Sequence, residues 1–358
     1  MRLTRLDRYV GAHIIGAFLV VILVLLGLMG ISMLLDELGA VSQRYQLSDA
    51  IYFVLLNLPA MAYQLLPLSA LVATLIGLGM LASTSELTVM RASGLSLARL
   101  ILSVLKPVLL LAFGALLLSE FVVPPAQQQA EGFKLEKQQG IASNLRAQTG
   151  AWYREPNSFI HVGAILPNGQ LLTVVQHQFD SNHRLTETLS AERATFGESG
   201  WTLESITQTR FDPNGSQLSM VKSDSIPWQT DLTPELLNVV LVEPRYLALS
   251  DLDSYANYLD QQGVDSKRYD LALWNKLLQP LSVVALVLVG TAFIFGPLRS
   301  VTVGQRILTG VIVGLVFKFS QDLLAPASQV LGFAAFWAAF TPILVSLAFA
   351  GFMLVRVR

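Results

Sequence analysis

Residues 50–85 read AIYFVLLNLPAMAYQLLPLSALVATLIGLGMLASTS, without one charged side chain. A run this long and this apolar is a membrane crossing, and it exceeds the roughly 20 residues that one crossing needs. Pro59 and Pro67 lie in its first half and predict a kink or break there. Working outward, residues 12–35 form a second apolar block whose only ionisable group is His13. Arg2, Arg5, Asp7 and Arg8 precede it, and the run continues to Leu35 with no early small-residue cleavage site. A retained first helix is therefore expected rather than a signal peptide.

Downstream, residues 95–123 form a third block, with Arg99 and Lys106 near its start and Glu120 near its end. Pro124 and Pro125 should stop that helix. Another block covers residues 277–298, and residues 307–355 are too long for one helix, with Pro326 and Gly332 dividing them. Six spans follow, at about residues 12–35, 51–82, 97–123, 271–296, 305–325 and 333–355.

Between Pro125 and Tyr269 the texture changes, with charges, Gln, Asn and Gly throughout and an apolar period near two. Residues 171–179, 201–211 and 217–228 read as strands. Turn signals separate them at Pro167-Asn168-Gly169, Asp180-Ser181-Asn182 and Asp212-Pro213-Asn214-Gly215. The spacing indicates an antiparallel sandwich or jelly roll. Residues 250–259 read as a short helix with Ser250 as N-cap. The expected fold is an α-helical membrane protein with six transmembrane helices and an inserted periplasmic, all-β, jelly-roll-like domain. Its parts are residues 1–123, 124–269 and 270–358.

Orientation follows from Lys and Arg in the short segments. With the N-terminus inside, the inner segments hold Arg2, Arg5, Arg8, Arg91, Arg99, Lys106, Arg299, Arg306, Arg356 and Arg358, and the short outer loops only Arg44. The expectation is an inner-membrane protein with both termini cytoplasmic and the β domain periplasmic.

Of the 358 residues 53% are hydrophobic and 14% charged, with a net charge of -1 and no cysteine. No basic tract points to nucleic acid, and thiol chemistry is absent. No H-E-x-x-H, G-x-S-x-G or P-loop lysine motif occurs. His13, His161, His177 and His183 are scattered, so neither a catalytic constellation nor a metal or cofactor site is expected.

The most informative short segment is Ser83-Thr84-Ser85-Glu86-Leu87-Thr88-Val89-Met90-Arg91-Ala92-Ser93-Gly94, in the loop after the second span. Ser83 and Glu86 have capping-box spacing and Gly94 suits a helix C′ position, predicting a short helix over residues 84–93. Leu87 and Met90 share one face, with Glu86 and Arg91 at its flanks. Either Glu86 only caps and Arg91 only meets lipid phosphates, or this is a coupling helix for a cytoplasmic motor. Lys318 lies inside the fifth span, four residues before Asp322; it either pairs with Asp322 or faces a polar cavity or anionic ligand. Arg44, Lys134 and Lys137, near the outer surface, either meet anionic head groups or pair with Glu131 and Glu136.

The chain resembles the LptF/LptG family of lipopolysaccharide-export permeases, and its LptG branch more than its LptF branch. The matching pieces are Leu6-Asp7-Arg8-Tyr9-Val10-Gly11, Gly77-Leu78-Gly79-Met80-Leu81-Ala82 running into Ser85–Gly94, Gln279-Pro280-Leu281-Ser282, and Phe293-Ile294-Phe295-Gly296-Pro297-Leu298-Arg299-Ser300. The resemblance implies a transmembrane ABC-transporter subunit that extracts lipopolysaccharide and passes it to a periplasmic jelly-roll bridge. It implies a homologous LptF-like permease, two copies of a cytoplasmic LptB-like ATPase, and a single-span LptC-like protein beside the first span. The hydrolytic activity would lie in the ATPase and not in this chain, and Glu86 matches the acidic residue of the family's coupling helix. Met33, Gly39 and Ala40 stand where some members carry basic residues. A many-chained lipid needs an apolar chamber, expected between spans one, two and five, with Leu25, Leu28, Met29, Leu315 and Phe319 on its walls and Lys318 at its rim. The competing functions are an ion-driven secondary transporter and a non-transporting scaffold for the β domain.

Overall fold

The computed structural model describes residues 5–138, 151–165, 169–182, 184–197, 200–211, 218–230, 232–233, 243–261, 265–296 and 301–356. The expected turn at 212–215, most of the turn at 167–169, His183 and the 297–300 end of the last quoted motif lie outside the described residues. Six helices are long and apolar enough to cross a membrane: α1 (Arg5–Leu38), α2 (Leu47–Ser83), α4 (Leu97–Phe121), α7 (Lys267–Phe295), α8 (Val303–Leu331) and α9 (Ala335–Arg356). Between them lie α3 (Glu86–Ala92), α5 (Val123–Gln138), a 3-10 turn (Pro244–Tyr246) and α6 (Leu249–Gln261).

The helix α2 runs unbroken through Pro59 and Pro67. Membrane helices tolerate internal prolines when neighbours hold the freed backbone, and α2 is packed by α1, α4, α5, α7 and α8. It is the bundle's axis: 67% of its most apolar stretch is buried, with 56% in α7, against 22% in α1 and 17% in α8. Small residues allow the close crossings. A Cβ on Gly290 of α7 would lie 3.1 Å from the Leu71 side chain of α2, and one on Gly310 of α8 would lie 2.6 Å from Leu75.

At one end of the bundle, which holds the α2–α3–α4 turn, ion pairs tie α1 to α4. The Asp7 side chain is fully buried. Its Oδ1 accepts from the Ser103 hydroxyl at 2.7 Å, and its Oδ2 meets Arg99 at 3.2 Å and the Lys106 ammonium. At the opposite end, Glu120 of α4 accepts from the Leu249 amide at 3.0 Å and pairs with Lys276 of α7 at 3.0 Å. That acceptor satisfies an orphan N–H at the start of α6. Ser250, expected as the cap, lies one residue inside α6, with its hydroxyl directed to Asp251.

The inserted domain is all β. Strands β1 (Ala151–Glu155), β2 (Ser158–Ile165), β3 (Leu171–Phe179), β4 (Leu185–Gly197), β5 (Gly200–Phe211) and β6 (Leu218–Trp228) form one antiparallel sheet in sequential order. Alternation buries one face, including Tyr153, Ile160, Val162, Leu171, Val174, Leu203 and Ile206. Two tryptophans in register close that face, Trp201 donating to the Leu232 carbonyl at 2.7 Å and Trp228 to Gln176 Oε1 at 3.0 Å. In the β3–β4 turn, Asp180 Oδ1 accepts from the Asn182 and Arg184 amides, each at 2.8 Å.

Candidate functional site

A cavity of about 560 Å³ is walled by α2, α7 and α8, with α1 reaching it at Met29. Its apolar wall comes from Met29 of α1, Pro67 and Leu68 of α2, Leu286 of α7, and Leu315 and Phe317 of α8. Of the wall residues expected from sequence, Met29, Leu315 and Lys318 line it. Leu25 is half-buried outside the lining, while Leu28 and Phe319 are exposed away from it.

Polar and charged groups other than Lys318 line one end of the cavity. Arg245, Arg268, Asn275, Lys276 and Gln279 also line the cavity, toward the sheet end. Lys276 is 3% exposed. It donates to the carbonyls of Ser119 and Leu247, each at 2.8 Å, besides pairing with Glu120. It stands immediately before the apolar run that marks the fourth span, so a hydropathy reading assigns it to the flank. Lys318 pairs with Asp322 at 2.7 Å on one exposed helix face, as the four-residue spacing allows.

The outer lysines are engaged within the chain. Lys134 of α5 pairs at 2.5 Å with Glu37 of α1, which is also bonded at 3.1 Å by the buried Tyr45, and its ammonium lies 4.6 Å from the Phe53 ring centroid. Lys137 pairs with Asp49 of α2 at 3.5 Å. Neither ion pair uses Glu131, and the Glu136 side chain lies outside the described residues. Arg44 is exposed in the α1–α2 loop.

At the other end, α3 departs from its expected cap. The N-cap is Ser85, at φ 63°, and no side-chain cap bond forms. The Ser83 hydroxyl bonds back to the Met80 carbonyl at 2.8 Å. Glu86 accepts instead from the Tyr9 hydroxyl of α1 at 2.6 Å and from Thr84 at 3.0 Å. These hydroxyls, Tyr9 first, hold the Glu86 carboxyl below its ordinary pKa. The C-terminus follows expectation: Gly94 has φ 92°, the Leu95 amide reaches the Met90 carbonyl at 3.2 Å and the Gly94 amide the Arg91 carbonyl at 3.0 Å, a Schellman motif. Leu87 is buried in the bundle core and Met90 packs against it, so the outward face of α3 is Thr88, Val89, Arg91 and Ala92.

Sequence reading missed Asp7, Tyr9, Glu120 and Lys276. A carboxylate in the first turn of a membrane helix was the available signal for Asp7, since an acid there needs a buried cation.

Six spans, a cleft walled by α2, α7 and α8, and an inserted sheet define a multi-pass membrane protein of the permease class. The family model described as lipopolysaccharide export system permease LptF/LptG matches residues 8–356, and the chain belongs to that family. It is 34% identical over 340 residues to the lipopolysaccharide export system permease protein LptG of Escherichia coli K12, covering 94% of each chain. It is 32% identical over 356 residues to the LptG protein of Haemophilus influenzae, covering 99% of each. With its six apolar helices, this makes it a multi-pass protein of the inner membrane.

Proposed function

We propose that this chain is the transmembrane permease subunit of an ABC-type exporter that takes lipopolysaccharide out of the inner membrane and hands it to a periplasmic bridge. The observation that carries the reading is the polarity of the cleft. Its depth is apolar at Met29, Pro67, Leu68 and Leu315, and its sheet end is polar at Arg245, Arg268 and Gln279. An amphiphile with several acyl chains and an anionic head group needs that gradient, because charge buried against acyl chains would be costly.

The excess of Lys and Arg around the α2–α3–α4 end supports a cytoplasmic N-terminus and a periplasmic sheet. The three parts divide at about 123/124 and 269/270. Withdrawing acyl chains costs about 0.8 kcal/mol per CH₂, so energy must arrive from a separate ATPase subunit. The outward face of α3, with Val89 and Arg91, is the surface we assign to that subunit, while Leu87 and Met90 seat the helix. An LptF-like permease, two LptB-like ATPases, an LptC-like single-span protein and a jelly-roll bridge complete the assembly, the edge strands of the sheet offering backbone pairing to the bridge.

The test reconstitutes the complex in vesicles and measures lipopolysaccharide release. Met29→Glu and Leu315→Glu should each lower release at least tenfold while pull-down of the complex is unchanged. Full release by both variants would remove the cleft as the substrate site. Release driven by an ion gradient without the ATPase would replace the reading with a secondary transporter.

A further inference from the structure

We propose that residues 243–248, the strap that returns the chain from the sheet to α6, deliver Arg245 to the mouth of the cleft as a head-group ligand, and that Lys276 and Glu120 position the strap. This rests on the reading of the cleft as the site of an anionic lipid, and it names the residues that meet the charge. Glu243, Pro244 and Arg245 line the cavity at its sheet end. Pro244–Tyr246 form a 3-10 turn, with the Tyr246 amide on the Glu243 carbonyl at 2.9 Å, and proline fixes φ at its first position. Three clips then fasten the strap to the membrane helices. The Gln64 side chain of α2 donates to the Tyr246 hydroxyl at 2.6 Å. Lys276 of α7 donates to the Leu247 carbonyl at 2.8 Å, and Glu120 of α4 accepts from the Leu249 amide at 3.0 Å. The Leu247 side chain is fully buried in a cluster with Leu252, Tyr255 and Ala272, so the strap is held by packing as well.

The strap lies at the level where a lipid carries its charge. Trp274, two residues before Lys276, meets Phe336 of α9 at 5.0 Å between ring centroids, and Trp337 beside it is exposed. Tryptophans at one end of a span mark the head-group level of a bilayer. Donor counting then divides the cations of the cleft into two kinds. An ammonium has three donors, and those of Lys276 go to the Ser119 carbonyl, the Leu247 carbonyl and Glu120. None is left for a ligand, although Lys276 lines the cavity, so it is a positioning residue. Arg245 is different: it pairs with Glu243 at 2.5 Å, and both side chains are more than half exposed. An exposed pair of this kind contributes little to stability. A phosphate offers the guanidinium two parallel charge-assisted bonds, so it can displace Glu243. Arg268, exposed on the lining of the same end, adds a second positive charge there.

The test measures lipopolysaccharide release by the full complex in vesicles against lipid loading, giving KM and kcat, with Tm in detergent as the check on folding. Arg245→Gln should raise KM at least fivefold with kcat within twofold and Tm unchanged. With dephosphorylated lipopolysaccharide the same variant should match the unmodified complex. Lys276→Met should raise KM as much, yet add less than twofold in the Arg245→Gln background, because one residue acts through the other. Should Lys276→Met fail to assemble, Tyr246→Phe decides in its place: it removes only the hydroxyl that Gln64 holds, and should raise KM about threefold alone and not at all beside Arg245→Gln. An unchanged KM in Arg245→Gln overturns the ligand. Effects of the strap variants that multiply with that of Arg245→Gln, or that fall on kcat and Tm instead of KM, overturn the positioning. If the unmodified complex releases no lipopolysaccharide but binds phosphatidylglycerol with an affinity that Arg245→Gln lowers, the strap stands and the assigned cargo falls.

Discussion

The Arg306 guanidinium of α8 donates to the backbone carbonyl of Gly79 in α2 at 2.6 Å, and both are buried. A Cβ at position 79 would lie 2.6 Å from Arg306 Nη1, so the guanidinium must shift to admit one. Gly79→Ala should weaken this charge-assisted hydrogen bond, at a cost of up to about 1.5–3 kcal/mol if it is lost. Thermal unfolding in detergent should show a lowered Tm. Arg306→Met breaks the same contact, so the double variant should be destabilised by less than the sum of the two.

The Asp7 carboxylate serves two cations, and removing it leaves both without that partner. Asp7→Ala should cost about 2–4 kcal/mol, toward the lower part of the range for broken buried pairs because Arg99 is partly exposed. Arg99→Ala should cost less, since Lys106 still neutralises Asp7. Equal Tm losses for the two variants would count against a shared site.

Lys134 and Glu37 join α5 to the far end of α1. Lys134→Ala should lower Tm by an amount corresponding to about 1 kcal/mol or more for this partly buried pair, and the swap Lys134→Glu with Glu37→Lys should recover most of it. A variant with unchanged Tm but impaired lipopolysaccharide release would instead make Lys134 a head-group ligand.

On the exposed face of the sheet, the Trp152 ring lies 4.9 Å from His161. Burial, and then neighbouring His177, push the His161 pKa down. A base depressed in the folded state binds fewer protons folded than unfolded, so its contribution is intact above about pH 6.5 and is lost as pH falls below it. Histidine-resolved NMR should show His161 titrating below free histidine, and His161→Gln should flatten the stability profile between pH 5 and 7 on the same scale.

The six spans were legible because charge is excluded from long blocks, and the sheet because Leu171–Phe179 and its neighbours alternate with turn residues between them. What escaped were contacts whose partners lie far apart in the chain. Lys134 has acids beside it in sequence, yet its partner Glu37 is 97 positions away. Ser83 and Glu86 have the spacing of a cap, but a tyrosine from another helix offers Glu86 a stronger donor than the backbone amide does. Pro59 and Pro67 read as breakers because local propensity ignores the five helices that surround α2. In the cleft, Met29 and Leu315 came from helical periodicity, while Lys276, just ahead of the apolar run at 277–298, was passed over.

The sequential order of the strands bears on how the molecule is made. Every described strand pairs with its immediate neighbour in the chain, so the strand pairing itself is local. Hairpins close in about 1–10 μs, whereas a ribosome adds roughly 5–20 residues per second. The sheet can therefore be complete before the last three spans emerge. Those spans then join a chain whose middle is already a folded body.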